Sequence, residues 1–192
     1  MELPVQFDNI NRRVVDDLKE KLTAASSLSV AAASFSIYAF EALKKELEAV
    51  RELRFIFTSP AFNKETAKKQ QREFYIPKLN RERNLYGSEF EIRLRNQLSQ
   101  KAIARECAEW IRRKVRFKSN VSGGVMNGFM NVVDGKENNF TYFPFNEFTT
   151  TELGIERGNN LCPSVMRLPS PYAEQYIRNF DELWHDKDRF QD

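Results

Sequence analysis

The chain has 192 residues, is 41% apolar and 30% charged, and carries a formal net charge of +3. That composition excludes a disordered tract and a disulfide-dense scaffold, and the length suits one α/β domain with its own core. No run is long enough to cross a bilayer and the acidic start is no signal peptide. Cys107 and Cys162 match no zinc spacing. The expectation is a cytoplasmic protein with no membrane partner, metal or cofactor.

In chain order, Val14, Val15, Leu18, Leu22 and Ala25 recur at helical spacing, so residues 11–25 read as an amphipathic helix with Asp16 and Asp17 in its first turns. The run LSVAAASF, 28–35, reads as a central strand covered on both faces. Ser36 can cap a second helix, with Phe40, Leu43, Leu47 and Val50 on one face. LRFIFT, 53–58, is the next strand, completing a strand–helix–strand crossover. Ser59-Pro60 then ends it at the sheet's carboxyl edge.

From residue 62 to about 100 the pattern is a basic helical and loop insertion. Residues 87–114 read as two helices, or one kinked near Ser99, because their apolar stripe changes sides. VRFK, 115–118, alternates as a strand, and 120–127 is a flexible connection. GFMNVV, 128–133, and FTYF, 140–143, read as strands around a turn at 134–139. Residues 146–163 read as loops. Ser170 and Pro171 are expected to start a C-terminal docking helix over 171–186, held by Tyr172, Tyr176, Phe180, Leu183 and Trp184. The charged final residues read as frayed.

Charge is uneven along the chain. Residues 64–118 hold 16 Lys and Arg against 7 Glu and no Asp. A segregated basic block points to a polyanion partner, although a solvated surface around helices gives the same count. Within it, aromatic and basic residues interleave. Lys78, Arg81, Arg83, Arg93 and Arg95 are candidates for phosphates, and Tyr75 and Tyr86 for stacking on bases. There is no phosphate loop of glycine-rich type, and the one histidine, His185, reads as the end of a surface helix. Cys107 reads as buried packing.

Six segments carry a resemblance: SLSVAAASFSIYAFEALKKEL, ELRFIFTSPAF, REFYIPKLNRERNLYGSEFEIRLRNQL, QKAIARECAEWIRRKVRFKSN, FTTTELGIERGNN and FDELWHDKDRF. Together they resemble the phospholipase D-like domain at the N-terminus of bacterial SNF2-type helicases, often encoded by mobile elements. The resemblance spans essentially the whole chain and implies an α/β fold, a seven-stranded mixed sheet flanked by helices in a single domain. In that superfamily a histidine attacks phosphorus and a lysine two residues on clamps the phosphate. An acid follows, and a later GSxxN-like segment helps hold the oxygens.

Here Asn127 stands at the histidine's position and Phe129 at the lysine's. Asp134 matches the acid by spacing but reads as a turn residue. Asn146 is the best match to the later asparagine, without its glycine-serine. An amide is no nucleophile at phosphorus, and a phenyl ring carries no charge. The resemblance therefore implies a vestigial cleft of Asn127, Phe129, Asp134, Asn146, Thr149 and Glu89. The function expected is a catalytically degenerate, DNA-binding or positioning module for a helicase-type ATPase in cis or in trans. Two alternatives stay open. One is a homodimerisation or protein-interaction module. The other is a nuclease or phosphodiesterase working by a non-histidine route, for example with Glu89, Glu91 and Asp134 around a metal ion.

Overall fold

In chain order the elements are β1 (Val5–Phe7), α1 (Val14–Lys21), β2 (Ser27–Ala32), α2 (Ile37–Ala42), α3 (Lys44–Ala49), β3 (Glu52–Phe57), α4 (Gln100–Lys114), β4 (Val115–Asn120), β5 (Phe129–Val133), β6 (Phe140–Phe143), β7 (Val165–Pro169), α5 (Ala173–His185) and β8 (Phe190–Gln191). The computed structural model describes residues 2–58, 100–135 and 138–192. The basic insertion over 62–99, with Tyr75, Lys78, Arg81, Arg83, Tyr86, Glu89, Glu91, Arg93 and Arg95, lies outside the described residues.

The strands form one open mixed sheet of eight, in the order β1-β7-β6-β5-β2-β3-β4-β8. β2, β3 and β4 run parallel, and every other pairing is antiparallel. β2 is an inner strand, and its apolar run follows from having both faces covered. Leu28, Val30 and Ala32 enter the larger core, under α1–α4, while Ala31 enters the smaller one, under α5. The α2–α3 crossover joins β2 to its parallel neighbour β3, as the strand–helix–strand pattern predicts.

Several boundaries differ from the sequence expectation. The first helix is shorter, Val14–Lys21, because Leu22 turns extended, with ψ 128°. The second pattern is two short helices, since Leu43 leaves helical geometry at φ −115° and ψ 16°. Leu43, Leu47 and Val50 still share the buried face, so the break leaves no trace in periodicity. Ser36 does cap α2: its hydroxyl accepts from the amides of Tyr38 at 3.1 Å and Ala39 at 3.4 Å.

Ser170 is not the cap of the last helix. That helix begins at Ala173, and the Ser170 hydroxyl instead lies 3.1 Å from Glu174 Oε1. Tyr172 is exposed and docks nothing, whereas Phe180 and Trp184 are buried, with Tyr176 and Leu183 beside them. The tail is not frayed: Phe190 and Gln191 pair with Asn120 and Ser119. This strand and the unpredicted β1 and β7 join the five strands read from the sequence to make eight among the described residues, where the resemblance implies seven. β8 covers only the end of β4, so among the described residues the outer edge of 115–118 meets no further strand.

Candidate functional site

The carboxyl ends of β2, β3, β4 and β6 share one side of the sheet with the amino ends of β5 and β7. In open parallel sheets this is the side where ligands bind. The loop after β6 is stapled across it. Phe148 donates its amide to Ser34 O at 2.9 Å and accepts from the Ser36 amide at 2.9 Å. Its ring stacks on Phe35 with centroids 5.2 Å apart and planes 4° apart. Ala33 N also donates to Asn146 O at 2.7 Å.

The staple brings Asn146 against Gly128, the residue after Asn127. Phe145 N donates to Gly128 O at 2.9 Å, and Gly128 N approaches Asn146 Oδ1 at 3.4 Å. Both asparagines are exposed. Two sites that the resemblance pairs across 19 residues therefore meet at one sheet end. Phe129 points elsewhere, into the smaller core, with its ring 5.5 Å from Tyr176 and 6.3 Å from Phe180.

The other expected residues are not part of this grouping. Asp134 follows β5 at the opposite end of the strand and accepts from Thr23 Oγ1 at 2.8 Å, as a turn residue would. Thr149 is fully buried, and its hydroxyl accepts from the Glu152 amide at 3.3 Å, so it shapes the loop rather than lining a cleft. Cys107 is buried and its thiol is pushed up to about 12 by desolvation, which removes it as a nucleophile.

Sequence reasoning missed three features. Asn120 organises the β4 exit. Its amide donates to Thr58 O at 3.1 Å and Gly124 O at 2.7 Å, and its Oδ1 accepts from Ser122. Ser34 Oγ is buried with no hydrogen-bond partner among the described residues. A cleft of about 100 Å³ lies beside Asn146, lined also by Asn9, Glu152, Glu156 and Arg157.

Glu152 is half-buried there and accepts the Asn146 amide at 2.9 Å. Burial raises its carboxyl above the ordinary value; the Asn146 amide pulls the other way, and the charge of Glu147 adds to the rise. A raised folded pKa means that the folded chain holds this proton more tightly. The associated stability is full below the unfolded carboxylate pKa and is lost as pH rises through the folded value. Glu152→Gln keeps the acceptor and cannot ionise. It is expected to flatten the dependence of urea midpoint on pH, with the variant more stable than wild type at about pH 8 and not at about pH 4. Equal slopes for the two proteins would contradict this.

A second cluster sits on the α5 face of the sheet. Arg54, Arg116 and Lys118 alternate with the apolar residues of β3 and β4, so they emerge together. Their cationic groups stand 5.6, 5.9 and 5.4 Å from the ring centre of Trp184. The alternation of RFK within β4 carries that signal, but Arg54 is hidden in an apolar run and the docking of Trp184 is tertiary.

No protein-family model matches the sequence, and no curated protein matches it. Among the described residues no helix is long and apolar enough to cross a membrane.

Proposed function

We propose that this chain is a catalytically degenerate phospholipase D-like module that binds DNA and positions it for a helicase-type ATPase, in the same chain or a partner. The observation that carries the reading is the pair at the start of β5. The place of a catalytic histidine holds an exposed amide, Asn127, and the place of the phosphate-clamping lysine holds a phenyl ring sunk in the smaller core, Phe129. The approach of Asn146 to Gly128, next to Asn127 at the sheet end, supports the same architecture, as do the central strand and its parallel crossover. The charge imbalance of residues 64–118 supports a polyanionic partner.

A non-histidine metal route draws no support from Asp134, which stands at the far end of β5 from Asn127. Exposed amides at the sheet end can still hydrogen-bond phosphate oxygens without cleaving them.

Fluorescence polarisation of labelled duplex and single-stranded DNA tests the reading. Three phosphate contacts on a duplex predict an affinity loss of about fortyfold between about 50 and about 200 mM salt. Absence of binding at the lower salt would reject the DNA-binding part of the proposal.

A further inference from the structure

The Trp184 cluster is electrostatically incomplete. Arg54 is paired with Asp181 at 2.8 Å and also donates to Ser29 Oγ at 2.9 Å. Arg116 is paired with Glu52 at 2.5 Å. Lys118 has no carboxylate partner among the described residues, although it stands over the same indole as two guanidinium groups. Holding three like charges around one nearly buried ring is favoured by the ring's quadrupole and opposed by their mutual repulsion. Among the described residues two counter-charges are present, on Asp181 and Glu52, and Lys118 has none.

The neighbouring chain extends the imbalance. Five of the seven residues 112–118 are Arg or Lys. Lys114 is occupied by the carbonyls of Glu48 and Val50, both at 2.6 Å. Arg112 and Arg113 are exposed at the end of α4, and among the described residues Arg113 makes only a long bond to Glu109 O, at 3.3 Å. Cations at a helix C-terminus and along an open sheet edge are common in themselves. The convergence of Arg54, Arg116 and Lys118 from two strands is a separate observation, and it leaves a place for an anion.

We infer that this ridge, running from Arg112 and Arg113 round the β4 edge to Arg116 and Lys118, binds the phosphate backbone of a nucleic acid. The inference rests on the DNA-binding reading above and names a surface for it distinct from the Asn127–Asn146 end. Arg116 and Lys118 project from the same face of one strand about 7 Å apart, so they present a row of charges rather than a single point. A backbone polyanion meets such a row with sequence-independent contacts. A lipid surface fits less well. Among the described residues the exposed large apolar side chains are Leu3, Ile10, Val125, Ile155, Leu161 and Tyr172, and none of these lies on β3, β4 or α4 to insert beside the cations.

The test uses the full chain and a labelled DNA duplex. The variant Arg112→Gln/Arg113→Gln/Lys118→Gln removes two exposed charges and the half-buried Lys118 charge without reversing any; its circular dichroism and urea midpoint establish that it folds. The expected result is binding weakened about tenfold, with the slope of log affinity against log salt reduced by about one for each phosphate that the variant no longer neutralises. A parallel variant, Lys78→Gln/Arg81→Gln/Arg83→Gln, separates the two readings. If wild type binds, the ridge variant is unchanged and the parallel variant is weakened, the ridge is wrong and the DNA-binding reading stands. If wild type binds no DNA, both fall. Lys118-dependent sedimentation with vesicles of phosphatidylserine, in place of DNA binding, also overturns the inference.

Discussion

Gly128→Ala is expected to destabilise the protein by about 3 kcal/mol, read as a fall in urea midpoint at unchanged slope. A Cβ on Gly128 would lie 2.1 Å from Phe145 O, 2.6 Å from Asn146 Cα and 2.8 Å from Phe145 C. All three are backbone atoms, so no side chain can swing aside. Relief requires the loop after β6 to move. That movement breaks the bond from Phe145 N to Gly128 O and strains the one from Ala33 N to Asn146 O. The glycine is needed here for close approach and not for a left-handed backbone.

Gly135 supplies the contrast, with φ +69° and nothing near its absent Cβ. Gly135→Ala meets only the backbone penalty of about 1–2 kcal/mol. Equal stability of the two variants would refute the crossing of β5 and the loop at this point. The Gly128 substitution also separates Asn127 from Asn146, so it tests the geometry of the candidate site.

Arg167→Ala has the second large effect. Arg167 is 5% exposed and stands on β7, between β1 and β6. One guanidinium nitrogen donates to Asp17 Oδ1 and the other to Glu2 Oε1, both at 2.5 Å, while Tyr142 donates its hydroxyl to Asp17 Oδ2 at 2.7 Å. The guanidinium also lies 5.7 Å from the Phe140 ring centre. Burial alone would lower the Arg167 pKa, but the bond and charge of Asp17 outweigh it and the group is held above its ordinary value.

Removing this side chain leaves Asp17, itself 12% exposed, with the Tyr142 hydroxyl and no cation. The expected cost is about 3–5 kcal/mol. Arg167→Met combined with Asp17→Asn is expected to cost less than the sum of the two single changes, because neither charge is left stranded. Additive effects in that double-mutant cycle would mean that the pair is not coupled.

The parts of the fold legible in the sequence are those where local pattern and tertiary demand agree. The unbroken apolar run around Val30 marks an inner strand, Ser36 marks a helix start, and FTYF coincides with β6 residue for residue. β7 escapes notice because Arg167 interrupts its apolar pattern and Pro169 closes it. The buried arginine is explained by its carboxylate partners Asp17 and Glu2, 150 and 165 residues away in sequence. β1 and β8 are three and two residues long, too short for any period to show.

The candidate site is legible to a different degree. Asn127 and Asn146 are singled out by resemblance, and their adjacency depends on Gly128, whose role is visible only once two backbones cross. Asp134 matches by spacing yet stands at the other end of its strand, because a five-residue strand carries the two ends apart. Glu152 and Lys118 have no local signal, since what distinguishes them is burial and, among the described residues, a missing counter-charge.

The most direct test of the central claim is a gel of a labelled DNA duplex after prolonged incubation at saturating protein, with and without Mg²⁺, alongside polarisation of the same sample. The account predicts a salt-sensitive complex that returns intact DNA under both conditions. Cleaved product that scales with protein and is abolished in Asn127→Ala would contradict it, because the exposed amide at the start of β5 would then belong to a working active site.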